Sequence, residues 1–249
     1  NAASYLAVIA ALLWIGPVAQ QAVRRSHANG QNGRFDLGGR IGAGLSDIRE
    51  GVHFILHQPI ILGSMILDFF ATFFSSANTL LPFITRDVLH AGVQQYGWLS
   101  AAQSIGAVSA ALVISQRIRI RKQGKLLLGA VVLFGLATIL FGLSRSFWFT
   151  LGALILIGAA DSVSTILRNT IRQLQTPDEL RGRMVSINQI FFQGGPQLGE
   201  VESGLVAQAF SPAGAIIVGG VGCIVAAGFV ARQWPQLRAY DGVDDEINP

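Results

Sequence analysis

Charge is what this chain has least of. Only 13% of its 249 residues are charged, against roughly 25% in an average soluble domain. By contrast 51% are hydrophobic and the mean hydropathy is +0.50. That balance excludes an ordinary soluble domain and implies an integral membrane protein of the helical kind. Cysteine is almost absent: Cys223 stands alone, so no intrachain disulfide and no cysteine metal motif can form. The four histidines, His27, His53, His57 and His90, show no ligand spacing, so no metal is expected. A phosphate-binding G-x-x-x-x-G-K-S/T loop is missing, which argues against ATP-driven transport through this chain. So is H-E-x-x-H, and Asp68 and Asp161 lack the local motif of an intramembrane aspartyl protease. Neither an enzyme nor a cofactor is expected. The net charge of +4 does not point to nucleic acid, because the arginines sit between apolar spans. No cleavable signal peptide is visible, and Asn1 runs straight into an apolar span, as expected of a fragment.

Seven apolar spans can be marked, near 1–19, 59–85, 95–116, 125–144, 147–167, 184–208 and 212–232. Each is long enough to cross a hydrocarbon core. Segment 20–58 separates the first from the rest. Its first half is rich in Gly and Asn. Its second half, near 46–57, starts at Ser46 and puts Ile48, Val52, Ile55 and Leu56 on one face, which predicts a short helix along the membrane surface. Lys and Arg set the orientation. Segments 20–58, 117–125, 168–183 and the tail hold sixteen, against Arg86 and Arg145 alone on the other side. The positive-inside rule then places the C-terminus in the cytoplasm. The basic run 117–125 is read as a topology determinant rather than a lipid or nucleic-acid site.

Polar residues are confined to particular spans. In the second, Ser64, Asp68, Thr72, Ser75 and Thr79 follow at steps of three and four, so they share a face. In the sixth, Ser186, Gln189, Gln193, Gln197, Glu200 and Gly204 do the same. The fifth carries Asp161, Thr165 and Arg168 on one face, and the third carries Gln103 and Ser104. The first, fourth and seventh have almost nothing polar. A helix lining an aqueous cavity needs a polar stripe, whereas a lipid-facing one does not. Every third span being apolar is what a bundle of three-helix repeats produces when the third helix lies outermost.

The stretch from Arg168 to Gly204 is the most informative. Thr176 is expected to cap a helix, with Pro177 at its first position and Glu179 closing a capping box. That helix should run about 30 residues. Gly194-Gly195-Pro196 should bend or break it, and Gly195-x-x-x-Gly199 should allow close helix approach. Asn78 and Pro82 should loosen the outer end of the second span. The membrane carboxylates Asp68, Asp161, Glu200 and Glu202 each read as functional or as a packing group.

Three segments carry a family resemblance: Arg49-Glu50-Gly51-x-x-Phe54-Ile55 before Pro59; Asp68 with Leu80-Leu81-Pro82, Tyr96-Gly97-Trp98 and Gly106; and Gln175-Thr176-Pro177-Asp178-Glu179-x-Arg181-Gly182-Arg183 with Leu198-Gly199-Glu200-x-Glu202-Ser203-Gly204. On them the chain resembles the C-terminal half of a bacterial major facilitator superfamily transporter, in the branch that includes the enterobactin exporter and macrolide-efflux proteins. The family's Asp-Arg-x-Gly-Arg loop motif is degenerate here, since Gln116-Arg117-Ile118-Arg119 lacks the acid.

The expected fold is therefore an all-α membrane protein, a helical bundle with the sixth to twelfth helices of a twelve-helix fold. Residues 1–19 would be the last helix of the N-terminal half, 20–58 a cytoplasmic linker, 59–232 a six-helix bundle and 233–249 a cytoplasmic tail. The resemblance implies proton-coupled efflux of a small amphipathic molecule, a drug or siderophore, across the bacterial inner membrane by alternating access. The partners would be substrate, protons, lipid bilayer and the N-terminal half. Candidates for the substrate and proton pathway are Asp68, Thr72, Asp161, Gln189, Gln193, Gln197 and Glu200. Arg168, Asp178, Glu179, Arg181 and Arg183 are gating-loop candidates. A non-transporting accessory or truncated half-transporter is the other reading.

Overall fold

The computed structural model describes residues 50–75, 79–116 and 120–242, all within one compact unit, Ile41–Pro249. The expected span 1–19, most of the linker and the last residues of the tail lie outside the described residues. Among those described there are helices and no strands. Helix α1 is Glu50–His57 and α2 is Pro59–Ser75, and the two meet at 98°. Short α3, Leu81–Phe83, passes into a π-helical turn, Ile84–Val88. Then come α4, Val93–Ser115; α5, Gln123–Leu143; α6, Phe147–Leu174; α7, Asp178–Ala209; α8, Pro212–Gln233; and α9, Pro235–Ala239.

Four of these helices, α4, α5, α6 and α8, are long and apolar enough to cross a membrane, and the bent pair α1–α2 could supply a fifth. The other expected spans differ for physical reasons. Of the second, residues Pro59–Ser75 form α2, and the chain from 79 on is helical again, with Pro82 in the first turn of α3; the join at 76–78 lies outside the described residues. Asn78 lies outside the described residues. The sixth forms a 32-residue helix, but its amide and carboxylate stripe keeps it below the hydropathy of a simple span.

Helices pair in a nested order. Among the six long helices, the first packs on the fifth (α2 on α7), the second on the fourth (α4 on α6) and the third on the sixth (α5 on α8). This is the arrangement two three-helix repeats adopt when they interlock. Backbone contact without side chains seals two of the pairs. A Cβ on Gly135 would lie 2.6 Å from the Gly220 carbonyl, and one on Gly220 2.7 Å from that of Gly135. Likewise, a Cβ on Gly106 would collide with the Ile155 carbonyl, and one on Gly158 with that of Gln103. Small residues at such crossings let helices approach closely, and in lipid that packing replaces the hydrophobic drive. At the α2–α7 crossing, Gly195 meets the Thr72 hydroxyl and the Phe69 carbonyl.

Apolar clusters fill the two ends of the bundle. Leu81, Ile84, Leu99, Phe141, Leu154 and Ile216 pack at one, and Leu67, Leu127, Leu167, Ile171, Val230 and Leu237 at the other. The apolar helices α5 and α8 expose rows of Leu and Val, including Leu133, Leu136, Leu140, Val221 and Val225. Among the four described helices long and apolar enough to span, however, the least buried is α4, with 17% of its span buried against 56% for α5 and 50% for α8.

Two local expectations are corrected. Thr176 does not cap α7. Its hydroxyl donates back to the Arg172 carbonyl at 2.6 Å, closing α6, and Pro177 takes the N-cap position without a side-chain bond. The helix is not broken at Gly194-Gly195-Pro196, since α7 continues through Pro196. Residues 50–57 of the segment expected as a surface helix form α1, in which Ile55 turns inward onto Ile61, Met65 and Ile187, while Val52 and Leu56 are exposed.

Candidate substrate cavity and its charge row

A row of alternating charges runs through the bundle. It starts on α6, where Arg168 and Arg172 are one turn apart on the same face. On α2, Ser64 and Asp68 share the same spacing, and α7 brings Asn188 alongside. Arg172 Nη2 donates to Asp68 Oδ2 at 2.5 Å, Arg172 Nη1 to Asn188 Oδ1 at 2.5 Å, and Arg172 Nε to Ser64 Oγ at 3.3 Å. One guanidinium thus ties three helices together. Arg168 takes the other carboxylate oxygen: its Nη1 lies 2.7 Å from Asp68 Oδ1. That contact is ionic rather than a directed hydrogen bond, because the N–H does not point at the oxygen. Arg168 Nη2 donates to Thr165 Oγ1 at 2.9 Å and lies 3.9 Å from Asp161 Oδ1.

Asp68, Arg168 and Arg172 are each 2% exposed. A lone ion so buried costs several kcal/mol, so the row is tenable because its signs alternate: Arg172, Asp68, Arg168, Asp161. Asp161 differs from the rest, with 60% of its side chain exposed.

It opens into a cavity of about 400 Å³ lined by residues of α2, α4, α5, α6 and α7. Ser75, Thr79, Gln103, Ser104, Asp161 and Glu200 supply the polar part of the wall, and Phe134, Ile157 and Pro196 are among the apolar groups. A concave wall that is mostly apolar, with a few convergent polar groups, is the usual form of a small-molecule site. Among the described residues no group of His, Cys, Asp and Glu could hold a metal ion.

A model of the transmembrane secretion effector family, part of the major facilitator superfamily, matches residues 1–247. The chain belongs to that family. It is therefore an all-α membrane protein of the major facilitator fold. Among curated proteins, the chain is 26% identical to the enterobactin exporter EntS of Citrobacter koseri over 196 residues. The match covers 79% of this chain and 47% of the relative. The enterobactin exporters of Escherichia coli O1:K1 and of Escherichia fergusonii match with the same identity and coverage. The chain spans about half the length of the curated relatives it matches.

The structure divides the pathway candidates. Asp161 and Glu200 line the cavity. Asp68 does not; it lies in the charge row. The Thr72 hydroxyl donates to the Asp68 and Phe69 carbonyls of its own helix, beside Gly195. Gln189, Gln193 and Gln197 lie on an exposed face of α7, outside the cavity wall. Of the gating candidates, Arg168 is corrected outright: it belongs to no loop, being buried within α6. Arg181 pairs locally with Asp178 at 2.7 Å, and Glu179 is exposed. Arg183 reaches Glu50 at 2.6 Å, joining α7 to α1.

Sequence reasoning missed Arg172 and Asn188 as site residues. The available signal was Asp161, Arg168 and Arg172 at spacings of seven and four on one helical face.

Proposed function

We propose that this chain is the C-terminal half of an alternating-access transporter that moves a small amphipathic molecule out of the cytoplasm, with protons as the driving ion. The observation that carries the reading is the cavity: in a chain this poor in charge, two carboxylates, an amide and three hydroxyls gather on the wall of one space of about 400 Å³. The similarity to enterobactin exporters supports the outward direction. In this reading the residues of 1–19 close an N-terminal half, that half covers the exposed glutamines of α7, and the protein sits in the inner membrane with its C-terminus in the cytoplasm.

The charge row suits alternating access. It joins α2, α6 and α7 chiefly through side-chain contacts, so it can part and reform as the halves rock. The test uses the full-length protein in cells lacking their own efflux pumps. Retention of a fluorescent dye and of a catecholate siderophore is followed with and without a proton uncoupler. Uncoupler-sensitive loss of either probe is the expected result. No efflux of any probe in a wide panel, from correctly inserted protein, would overturn the reading.

A further inference from the structure

The residues that follow α8 are not a loose end. Helix α9 packs chiefly on α2, α5 and α8. Leu237 is fully buried in the apolar cluster of Leu67, Leu127 and Val230, with Trp234 and Tyr240 packed against it. Two glycines let the segment come close. A Cβ on Gly124 would collide with the Leu237 carbonyl, and one on Gly63 would lie 3.1 Å from the Trp234 side chain. The segment thus lies across the start of α5 and the start of α2.

The beginning of α5 lacks a cap of its own. Its N-cap residue, Lys122, is left-handed (φ 57°, ψ 43°) and makes no side-chain cap bond. Ile120, Arg121 and Lys122 include no Ser, Thr, Asp or Asn, the side chains that usually accept from the free amides of a first turn. Acceptors come instead from far along the chain. The Lys122 N–H donates to the Asp241 carboxylate, 119 residues away, and to the Asp241 carbonyl at 3.1 Å. The Gly124 N–H donates to the Tyr240 carbonyl at 3.0 Å. A negative group here also meets the favourable end of the helix dipole. The Tyr240 hydroxyl accepts from Gln175 Nε2 at 3.3 Å, at the C-cap of α6. Gly242 follows at φ 74°, a conformation that suits glycine, and a Cβ there would collide with Gln123.

We propose that residues 234–242 are a clasp. It supplies the missing cap of α5 and fastens the end of α6 and the start of α2 to it. The first turn of α5 stays formed while the clasp is closed. Opening it frees three helix ends at once, while the charge row keeps its own contacts. The clasp uses none of the contacts on which the transport reading rests.

The experiment is hydrogen exchange read by mass spectrometry, on the purified full-length protein in lipid nanodiscs. Asp241→Ala removes the side-chain acceptor, Asp241→Asn keeps one, and a stop after Gln233 removes the clasp altogether. In Asp241→Ala the amides at the start of α5 are expected to exchange about fivefold faster, the worth of an average cap. The rise should be smaller in Asp241→Asn and larger in the stop variant. Peptides from the middle of α2 and α6, which carry Asp68 and Arg168, should keep the parent's rate in both Asp241 variants. If the stop variant does not fold, the two Asp241 variants decide. Unchanged exchange at the start of α5 in Asp241→Ala would overturn the clasp. So would a rise as large in Asp241→Asn, or an equal rise in every helix. Efflux is no part of the readout, so loss of the transport reading leaves this test intact.

Discussion

Asp68 and Asp161 are both carboxylates near the middle of long helices, and they share one counter-ion. Their surroundings could hardly differ more. Asp68 has a guanidinium on each oxygen and a side chain 4% exposed; Asp161 has one guanidinium at 3.9 Å and a side chain 60% exposed. The comparison separates two uses of a charge in a membrane bundle. Where both oxygens are taken up, the acid is a fastening among helices. Where one side is left open to a cavity, the acid is available to a guest.

The harshest way to break this comparison is Asp68→Asn. It leaves Arg168 and Arg172 buried without their shared partner, and removing one member of a buried pair costs about 3–5 kcal/mol. A large fall in melting temperature or in folded yield is expected, and Asp68→Asn combined with Arg172→Met should recover part of it. A single variant as stable as the parent would show that the row does not fasten the bundle.

Gly195→Ala comes next. Its Cβ would press on Thr72, one turn from Asp68, and force α7 away from α2. Overpacking of this kind costs about 1–3 kcal/mol. Gly194→Ala, with nothing in reach, should be silent. Melting curves of the two side by side sharpen the claim that the tight side depends on helix approach.

Asp161→Asn is expected to cost about 1 kcal/mol or less, as for exposed pairs, while affecting transport strongly. A stability loss as great as that of Asp68→Asn would erase the difference between the two acids. The smallest effect belongs to Arg183→Ala, which opens the partly exposed pair with Glu50. That change should be worth a few tenths of a kcal/mol, and a larger loss would mean that α1 is fastened to α7 as firmly as α2 is.

Much of the bundle was legible in the sequence. The polar steps of the second span from Ser64 to Ser75 and those of the sixth follow from helical periodicity, and α2 and α7 carry them; the apolar fourth and seventh spans are α5 and α8. What was hidden is instructive. The fifth span was expected to end at 167, yet α6 runs to Leu174. Arg168 and Arg172 were thereby counted with the loop, as charges that set topology. Counting arginines near span ends cannot tell one that snorkels to water from one paired inside the bundle, because both sit at the same place along the chain. Thr176 shows a similar limit. A threonine between two helices can close the first or open the second, and here the free carbonyl of Arg172 took it. The interlocked pairing was also beyond periodicity, which reports a helix's faces but not its neighbours.

The separation of Asp68 from Arg172 along the chain bears on how the protein is made. The partners stand 104 residues apart, so at roughly 5–20 residues per second several seconds pass between their synthesis. Throughout that interval Asp68 lacks the two arginines that hold it in the finished bundle, and a charge at the bilayer centre costs a few kcal/mol. Until α6 arrives, α2 is without the ion pairs that seat it in the bundle. Settling of α2 is thus a late event in biogenesis, although α2 is among the first of these helices to be made.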